Sequence, residues 1–175
     1  MQSALILIDG FQPEGITMLA QDSVFMMPHL GVLSTVHPKA AMEIFEKDCI
    51  VRVGTCVAFR GKSGERRKIA DIHLDMPDGR AIDHEAIYGT ITKIPLGVGE
   101  SAKVHIRPVR GFDIGSGSGN VWKGEIEGGV VGIIVDVRGR PLELPTDSQE
   151  RRKLLIEWFK SLEAYPKEYL DGLSN

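Results

Sequence analysis

The sequence has few of the residue types that build disulfide frameworks or aromatic-rich surfaces. Of its 175 residues, only two are cysteines and 6% are aromatic. Cys49 and Cys56 are expected on one strand, where their odd separation places the two thiols on opposite faces. We therefore predict that they stay unpaired. Unpaired thiols are typical of a reducing compartment, so a cytoplasmic protein is expected.

Long apolar runs and a strong net charge are also absent. No run approaches the roughly 20 apolar residues of a membrane-spanning helix. The opening stretch Ala4–Ile8 ends at Asp9 and is too short for a signal peptide. A formal net charge of -3 provides no attraction to nucleic acid or to an anionic membrane. We expect neither partner.

The polar residues show no catalytic or metal-binding spacing. No Gly-x-Ser-x-Gly elbow occurs, and Ser116 and Ser118 have no identifiable base. His73 and His84 are expected to face each other across a hairpin, as an exposed pair rather than a metal site. We predict no catalytic residue, no metal and no cofactor in this chain, and no enzyme. Zinc-ligand spacing is missing among the five histidines, His29, His37, His73, His84 and His105.

Residues 1–47 are predicted to form a short β/α segment. Ala4–Ile8 is typical of a short buried strand, followed by a polar turn at Asp9. A strand without a local partner pairs with a distant segment or with a second copy, so a homo-oligomer is one expectation. A helix is predicted to begin at Pro38 and to run to Glu46, with an apolar face that includes Ala41 and Ile44.

Residues 48–145 have the turn spacing of a small β-domain. An unbroken apolar run at Val130–Val135 predicts a strand that is covered on both faces. Short strands at this spacing favour a β-barrel or sandwich, hence a mostly β or α+β fold. The remaining expected strands are 50–59, the hairpin 68–76 with 80–87, the pair 90–94 with 101–107, and a strand from Val121.

Residues 146–175 are predicted to be a helical segment that packs on the β-domain. Thr146 is the expected N-cap, because Gln149 follows at the capping-box position. The apolar positions then form one broad stripe, which favours a lid over the β-domain. The stripe consists of Leu154, Leu155, Trp158, Phe159 and Leu162.

A glycine-rich loop is the first candidate binding element. Glycine-rich loops can hold a phosphate with backbone N–H groups when a helix follows. Here a strand-like segment follows, and the P-loop lysine is missing. A connector between strands is therefore favoured over a phosphate site. The candidate residues are Arg110, Asp113, Gly115, Gly117 and Gly119.

A charged group after the apolar run is the second candidate. Asp136 is followed closely by Arg138 and Arg140. Guanidinium groups suit bidentate recognition of a carboxylate or phosphate, so an anion site is one interpretation. An internal ion-pair network that holds two loops is the favoured alternative, because no nucleophile or general base accompanies the arginines.

Several long stretches carry a family resemblance. LIDGFQPEGIT, VFMMPHLGVLSTVHPKAA, IPLGVGESAKVHIRPVRGFDIGSGSGN and GGVVGIIVDVRGRPLELP are similar to the C-terminal part of the glutamate mutase accessory family. These MutL-like proteins are unrelated to the mismatch-repair protein of that name. The resemblance covers residues 4–162 and is strongest over 104–145.

The resemblance implies a tail of an actin/Hsp70-like ATPase that accompanies adenosylcobalamin-dependent mutases. The family's phosphate-binding motifs are missing, so no ATP hydrolysis is expected. Residues 4–46 would be the end of the ATPase core and residues 48–145 an appended β-domain. The predicted function is a non-catalytic docking domain, with its own ATPase-like core or a mutase-type protein as partner. The alternative is a β-barrel that binds a small anion at the two candidate loops.

Overall fold

The computed structural model describes residues 1–172 and contains two stacked four-stranded sheets with helices on the outer side of one of them. Residues 173–175, the end of the predicted helical segment, lie outside the described residues. The strands are β1 (Gly15–Asp22), β2 (Ile50–Ala58), β3 (Lys68–Asp75), β4 (Ala81–Ile87), β5 (Ile91–Ile94), β6 (Ser101–Pro108), β7 (Trp122–Glu127) and β8 (Gly132–Asp136). The helices are α1 (Gln2–Phe11), α2 (Met27–Ser34), α3 (Pro38–Ile44), α4 (Ser148–Ser161) and α5 (Lys167–Gly172), and a π-helical turn, Phe45–Cys49, follows α3.

The two sheets have different strand patterns. The central sheet has the order β1-β2-β8-β5, and its inner strands β2 and β8 run parallel. The outer sheet has the order β4-β3-β6-β7 and is antiparallel throughout. The sheets do not close into a barrel. The fold is therefore a mixed α/β, sandwich-like arrangement, and of the two predicted architectures the barrel is wrong.

The central sheet is buried on both faces, and β8 shows why its sequence is continuously apolar. Ile133 and Val135 lie in the core between the two sheets. Ile134, which points the opposite way, lies in a second core under the helices. All five residues of β8 are buried. The prediction of a strand covered on both faces is confirmed from Gly132 to Val135, whereas Val130 lies before the strand and is 66% exposed.

The second core contains α1, where the sequence predicted a strand. Ala4, Leu5 and Ile8 are buried against the central sheet, whereas Ile6 is 73% exposed. This spacing of buried positions follows one side of a helix, and a five-residue apolar run is too short to distinguish helix from strand. Without a strand there, edge pairing through residues 4–8 loses its basis.

The C-terminal helix completes the same layer. Trp158 and Leu162 are buried in the second core, and Leu154, Leu155 and Phe159 pack at its margin. The predicted apolar stripe is confirmed as the face that α4 packs on the sheet. The expected cap is wrong by one residue, because the carboxylate of Asp147 accepts the N–H groups of Gln149 and Glu150.

Two other local predictions are also wrong. β5 and β6 do not pair, because the connection between them crosses from the central to the outer sheet. β5 pairs with β8 instead, and β6 pairs with β3 and β7.

Cys49 lies at the end of the π-helical turn rather than in β2 with Cys56. Both thiols are buried and free, as predicted.

A helical tip, residues 23–49, stands between β1 and β2. It contains α2, α3 and the π-helical turn, and the prediction of a helix from Pro38 is confirmed. Its buried side chains are Leu30, Ala41 and Cys49, and none of them belongs to either core. The antiparallel pairing of β1 with β2 connects this tip to the strand domain.

Glycine permits a close backbone crossing between β2 and the start of β8. A Cβ on Gly54 would lie 2.2 Å from the carbonyl oxygen of Gly132, and a Cβ on Gly129 would lie 2.7 Å from the Cα of Gly54. These contacts are with backbone atoms, which cannot rotate away. The parallel pairing of the two central strands therefore depends on glycine here.

We expect Gly54→Ala to destabilise the protein by about 3 kcal/mol, because the methyl group separates β2 from β8. Urea unfolding followed by circular dichroism measures the change. Gly31→Ala is the matched control, since no atom lies within 4 Å of its added Cβ, and it should leave the midpoint unchanged or higher. Equal midpoints for the two variants would contradict this account.

Candidate functional site

Asp136 at the end of β8 is the centre of a buried ion-pair network. Its side chain has no exposed area, and those of Arg138 and Arg140 are 2% and 3% exposed. Arg138 binds the carboxylate in a bidentate manner, with Nε 3.0 Å from Oδ1 and Nη2 2.8 Å from Oδ2. Arg140 Nη2 lies 2.8 Å from the same Oδ2. One carboxylate thus binds two guanidinium groups.

The network also binds α1 and the turn that follows it. Arg138 Nη2 donates to Asp9 Oδ1 at 2.6 Å, and Arg140 Nε donates to the carbonyl oxygen of Pro13 at 2.9 Å. With Asp9 included, two carboxylates balance two guanidinium groups. For Asp136, Arg138 and Arg140, the geometry is that of the internal network, the favoured alternative of the sequence analysis.

The protonation states follow from this packing. Burial alone would raise the pKa of Asp136, but the hydrogen bonds and charges of Arg138 and Arg140 hold it below its ordinary value. Burial alone would lower the pKa of Arg138, whereas its bonds to Asp136 and Asp9 raise it above its ordinary value. Burial and the charge of Asp136 raise the pKa of Cys56 to about 12, so its thiol stays protonated.

Sequence reasoning missed two members of the network. The sequence predicts Asp9 in a polar turn and Trp158 only as part of an apolar stripe. The Trp158 ring lies 4.8 Å from the Arg138 guanidinium carbon, in a cation–π contact that links α4 to the network. The helical spacing of Ala4, Leu5 and Ile8 would have placed Asp9 at the end of α1, beside the central sheet.

The glycine-rich loop uses its own polar groups to hold itself together. Asp113 Oδ1 accepts the N–H groups of Gly115 and Gly117, both at 2.8 Å. The Gly119 N–H donates to the carbonyl oxygen of Phe112 at 2.8 Å. The loop amides that a phosphate would need are thus largely engaged, and Arg110 is exposed beside them. This is the geometry of a tight connector.

The two candidate loops lie at the same end of the sandwich but do not form one site. Residues 59 and 60 separate them, because the Phe59 N–H donates to Asp136 and Arg60 pairs with Asp113 through both backbone groups. Within residues 1–172, no hydrogen bond joins the glycine-rich loop to the Asp136 network. Asp113 is bonded within its own loop and does not join Arg138 and Arg140.

The histidine prediction needs a correction. His73 lies opposite Asp83 in the β3–β4 hairpin, and His84 lies opposite Ile72, so the two histidines do not face each other. Over residues 1–172, no group of three or more histidine, cysteine or acidic side chains has the geometry to hold a metal ion.

In the same part of the chain, no helix has the length and apolar character needed to cross a membrane.

Among residues 1–172, the helical tip has the largest group of exposed apolar side chains. Its members come from the turn before α2, from both helices and from the turn between them. Their exposed fractions run from 37% at Ile44 to 81% at Phe25. The group consists of Val24, Phe25, Met26, Met27, Val32, Val36, Met42 and Ile44.

Phe25 at the start of the tip is held in a strained conformation. Its φ is 55°, in the left-handed region that bulky residues avoid. The Asp22 carboxylate holds this turn by accepting the N–H groups of Val24 at 3.1 Å and Phe25 at 2.9 Å. The ring is 81% exposed, and strain of this kind is typical of functional segments.

Comparison with known proteins gives no match: no family model, no curated protein and no solved structure is significantly similar to this chain.

We expect Asp136→Asn to destabilise the fold by about 3–5 kcal/mol, because it leaves two buried guanidinium groups without their shared carboxylate. Chemical unfolding at neutral pH measures the loss. Asp83→Asn is the control, since the Asp83 side chain is 87% exposed and its pair with His73 is a surface pair. Its cost should stay below about 1 kcal/mol. Similar losses for the two variants would contradict a structural role for the network.

The lowered pKa of Asp136 also predicts an acid dependence. A carboxyl whose pKa is lower in the folded state stabilises the fold above its unfolded pKa, and this contribution fades as pH falls through the folded value. The gap in unfolding free energy between wild type and Asp136→Asn should therefore narrow below about pH 4. Unfolding curves from pH 7 downward test this, and a gap that stays constant would show that Asp136 is not ionised in the fold.

Proposed function

We propose that this chain is a non-catalytic protein-docking domain whose contact surface is the helical tip, residues 23–49. The exposed apolar group of the tip carries the proposal. A concentration of exposed apolar side chains on one segment favours an interaction site, whereas single exposed apolar residues are ordinary. The resemblance to the glutamate mutase accessory family supplies the partner class, an actin/Hsp70-like ATPase core or an adenosylcobalamin-dependent mutase.

The chemistry of the tip favours docking by apolar burial. It contributes Met26, Met27 and Met42, whose flexible thioether side chains adapt to a partner's shape. Its charges nearly cancel, with Lys39 and Lys47 against three acidic residues. Electrostatic steering is therefore a minor contribution, and burial of apolar area is the main driving force.

The strained presentation of Phe25 supports the same surface. A partner that binds here loses less conformational entropy, because the Asp22 carboxylate already holds the backbone of the turn that presents Phe25. Aromatic anchors near the centre of a contact are often the residues that dominate its affinity. Phe25 would be such an anchor, with Val32 and Val36 as further exposed apolar residues of the tip.

The alternative, a small anion bound at the two predicted loops, has less support. Arg138 and Arg140 are occupied by Asp136, Asp9 and backbone carbonyl groups. The amides of Gly115, Gly117 and Gly119 are bonded within their own loop. An anion at either place would have to displace these internal partners.

We expect Phe25→Asp to weaken binding to a purified actin/Hsp70-like ATPase core of the glutamate mutase accessory family by about 30-fold or more, as for an aromatic anchor. Isothermal titration calorimetry measures the affinity, with an adenosylcobalamin-dependent mutase as a second probe. Both proteins should be titrated against wild-type chain first. Binding of neither probe would overturn the proposed partner class.

Phe11→Asp is the matched control for Phe25→Asp. The two rings are 80% and 81% exposed, but Phe11 ends α1 beyond the far end of β1. The control should bind as the wild type does, and both variants should unfold at the wild-type midpoint. If the two substitutions weaken binding equally, the contact surface does not lie on the tip.

A further inference from the structure

The helical tip contains half of the methionines in the sequence. Of six methionines, three lie in the tip, namely Met26, Met27 and Met42. These residues are 38%, 53% and 57% exposed, respectively. None of the three belongs to either core or packs at its margin. They are therefore open to reagents in the solvent.

The other three methionines are protected by their packing. Met76 is buried in the core between the two sheets, and Met1 packs against the second core. Met18 is half-buried, and its sulfur accepts a hydrogen bond from the Thr55 hydroxyl group at 4.0 Å. Within residues 1–172, the exposed methionines are thus confined to the tip.

The two cysteines do not compete with these methionines for an oxidant. Cys49 and Cys56 are both buried. Burial raises the pKa of the Cys49 thiol, and burial together with the charge of Asp136 raises the pKa of Cys56 to about 12. Oxidants react with the thiolate, which is scarce at neutral pH when the pKa is raised. A thioether has no proton to lose, so the methionines of the tip stay reactive at any pH.

We propose that Met26, Met27 and Met42 form an oxidation site, at which a peroxide converts the apolar helical tip into a polar surface. A sulfur lone pair attacks one peroxide oxygen, so that an S–O bond forms while the O–O bond breaks. The sulfur is oxidised by two electrons, and the peroxide is reduced by the same two. With hydrogen peroxide, the proton of the transferred hydroxyl group goes to the departing oxygen, which leaves as water. The product is methionine sulfoxide, which reductases return to the thioether.

The backbone of the tip is held by bonds in which the sulfur atoms take no part. The Asp22 carboxylate accepts the Met27 N–H at 3.4 Å, and the Met26 carbonyl oxygen accepts the Leu30 N–H at 2.9 Å. A sulfoxide oxygen on an exposed side chain needs no space in a core, and water supplies its hydrogen bonds. Oxidation should therefore change the polarity of the tip and leave the fold intact.

The effect of oxidation on binding rests on the docking function proposed above. A partner that covers the tip would bury each sulfoxide oxygen, and a buried acceptor without a hydrogen bond is costly. Oxidation of methionine disrupts methionine-rich contacts for this reason. A peroxide would therefore release the partner, and reduction of the sulfoxides would restore binding.

Peptide mapping by mass spectrometry, after brief treatment of the intact chain with hydrogen peroxide, tests the site itself. We expect Met26, Met27 and Met42 to gain one oxygen about tenfold faster than Met76, because reactivity follows exposure. The circular dichroism spectrum and the urea midpoint should stay unchanged at this stage. Equal rates for all methionines would overturn the proposal, and so would unfolding that precedes oxidation of the tip.

Hydrophobic-interaction chromatography measures the change of polarity without any partner. The oxidised chain should elute earlier, and methionine sulfoxide reductases should restore its retention, whereas dithiothreitol, which reduces disulfides, should not. The triple variant Met26→Leu, Met27→Leu, Met42→Leu should keep its own untreated retention after peroxide. Met18→Leu is the matched control and should shift as the wild type does. An unshifted wild type, or an equal shift in the triple variant, would contradict the proposal.

Calorimetry with the ATPase core and the mutase connects the oxidation site to docking. Oxidation should weaken binding of the wild-type chain about tenfold or more, as for an acceptor buried without a partner. The triple variant, compared with its own untreated sample, should lose no affinity. Undiminished binding by the oxidised wild type, or equal weakening of the triple variant, would overturn the control of docking by oxidation. If neither probe binds the untreated chain, the docking function fails, and peptide mapping and retention still decide the oxidation site.

Discussion

The bond between Asp136 and two arginines is the interaction on which the arrangement of layers depends. It lies where the fully buried strand β8 ends, and it connects that strand to α1 through Asp9 and to α4 through the Trp158 ring. Each buried charge in it would be costly alone. Together they fix the helical layer over the central sheet in one position, which apolar packing by itself would leave less sharply defined.

The strand-rich half of the fold could be predicted well from sequence. The apolar run ending in Asp136 and the Pro77–Gly79 turn are strong local signals. The strand that follows from the first and the hairpin that follows from the second are both found in the structure. The N-terminal helix could not be predicted, because five apolar residues fit either a strand or one side of a helix. The partner of β5 was also out of reach, since no local signal shows where a connection crosses between sheets.

The candidate sites could also be predicted only in part from the sequence. Sequence reasoning identified Asp136, Arg138 and Arg140 as a unit and left open whether they face inward. Burial decides that question, and burial depends on which helices cover the strand. The helical tip was missed because its apolar residues resemble core residues in composition. Only the three-dimensional structure shows that Phe25 and its neighbours face solvent rather than a core.

The glycine-dependent pairing of β2 with β8 has a consequence for how the chain folds. The outer sheet forms from hairpins between neighbouring strands, apart from the longer β3–β6 link, whereas the central pair joins segments separated by the entire outer sheet. Pairings distant along the chain form slowly, because a long loop must close first. On the ribosome, β2 waits with an uncovered edge until β8 has been synthesised. The pairings of β8 are therefore the last to become possible, and the open edge of β2 is the part most exposed to misassembly with another chain.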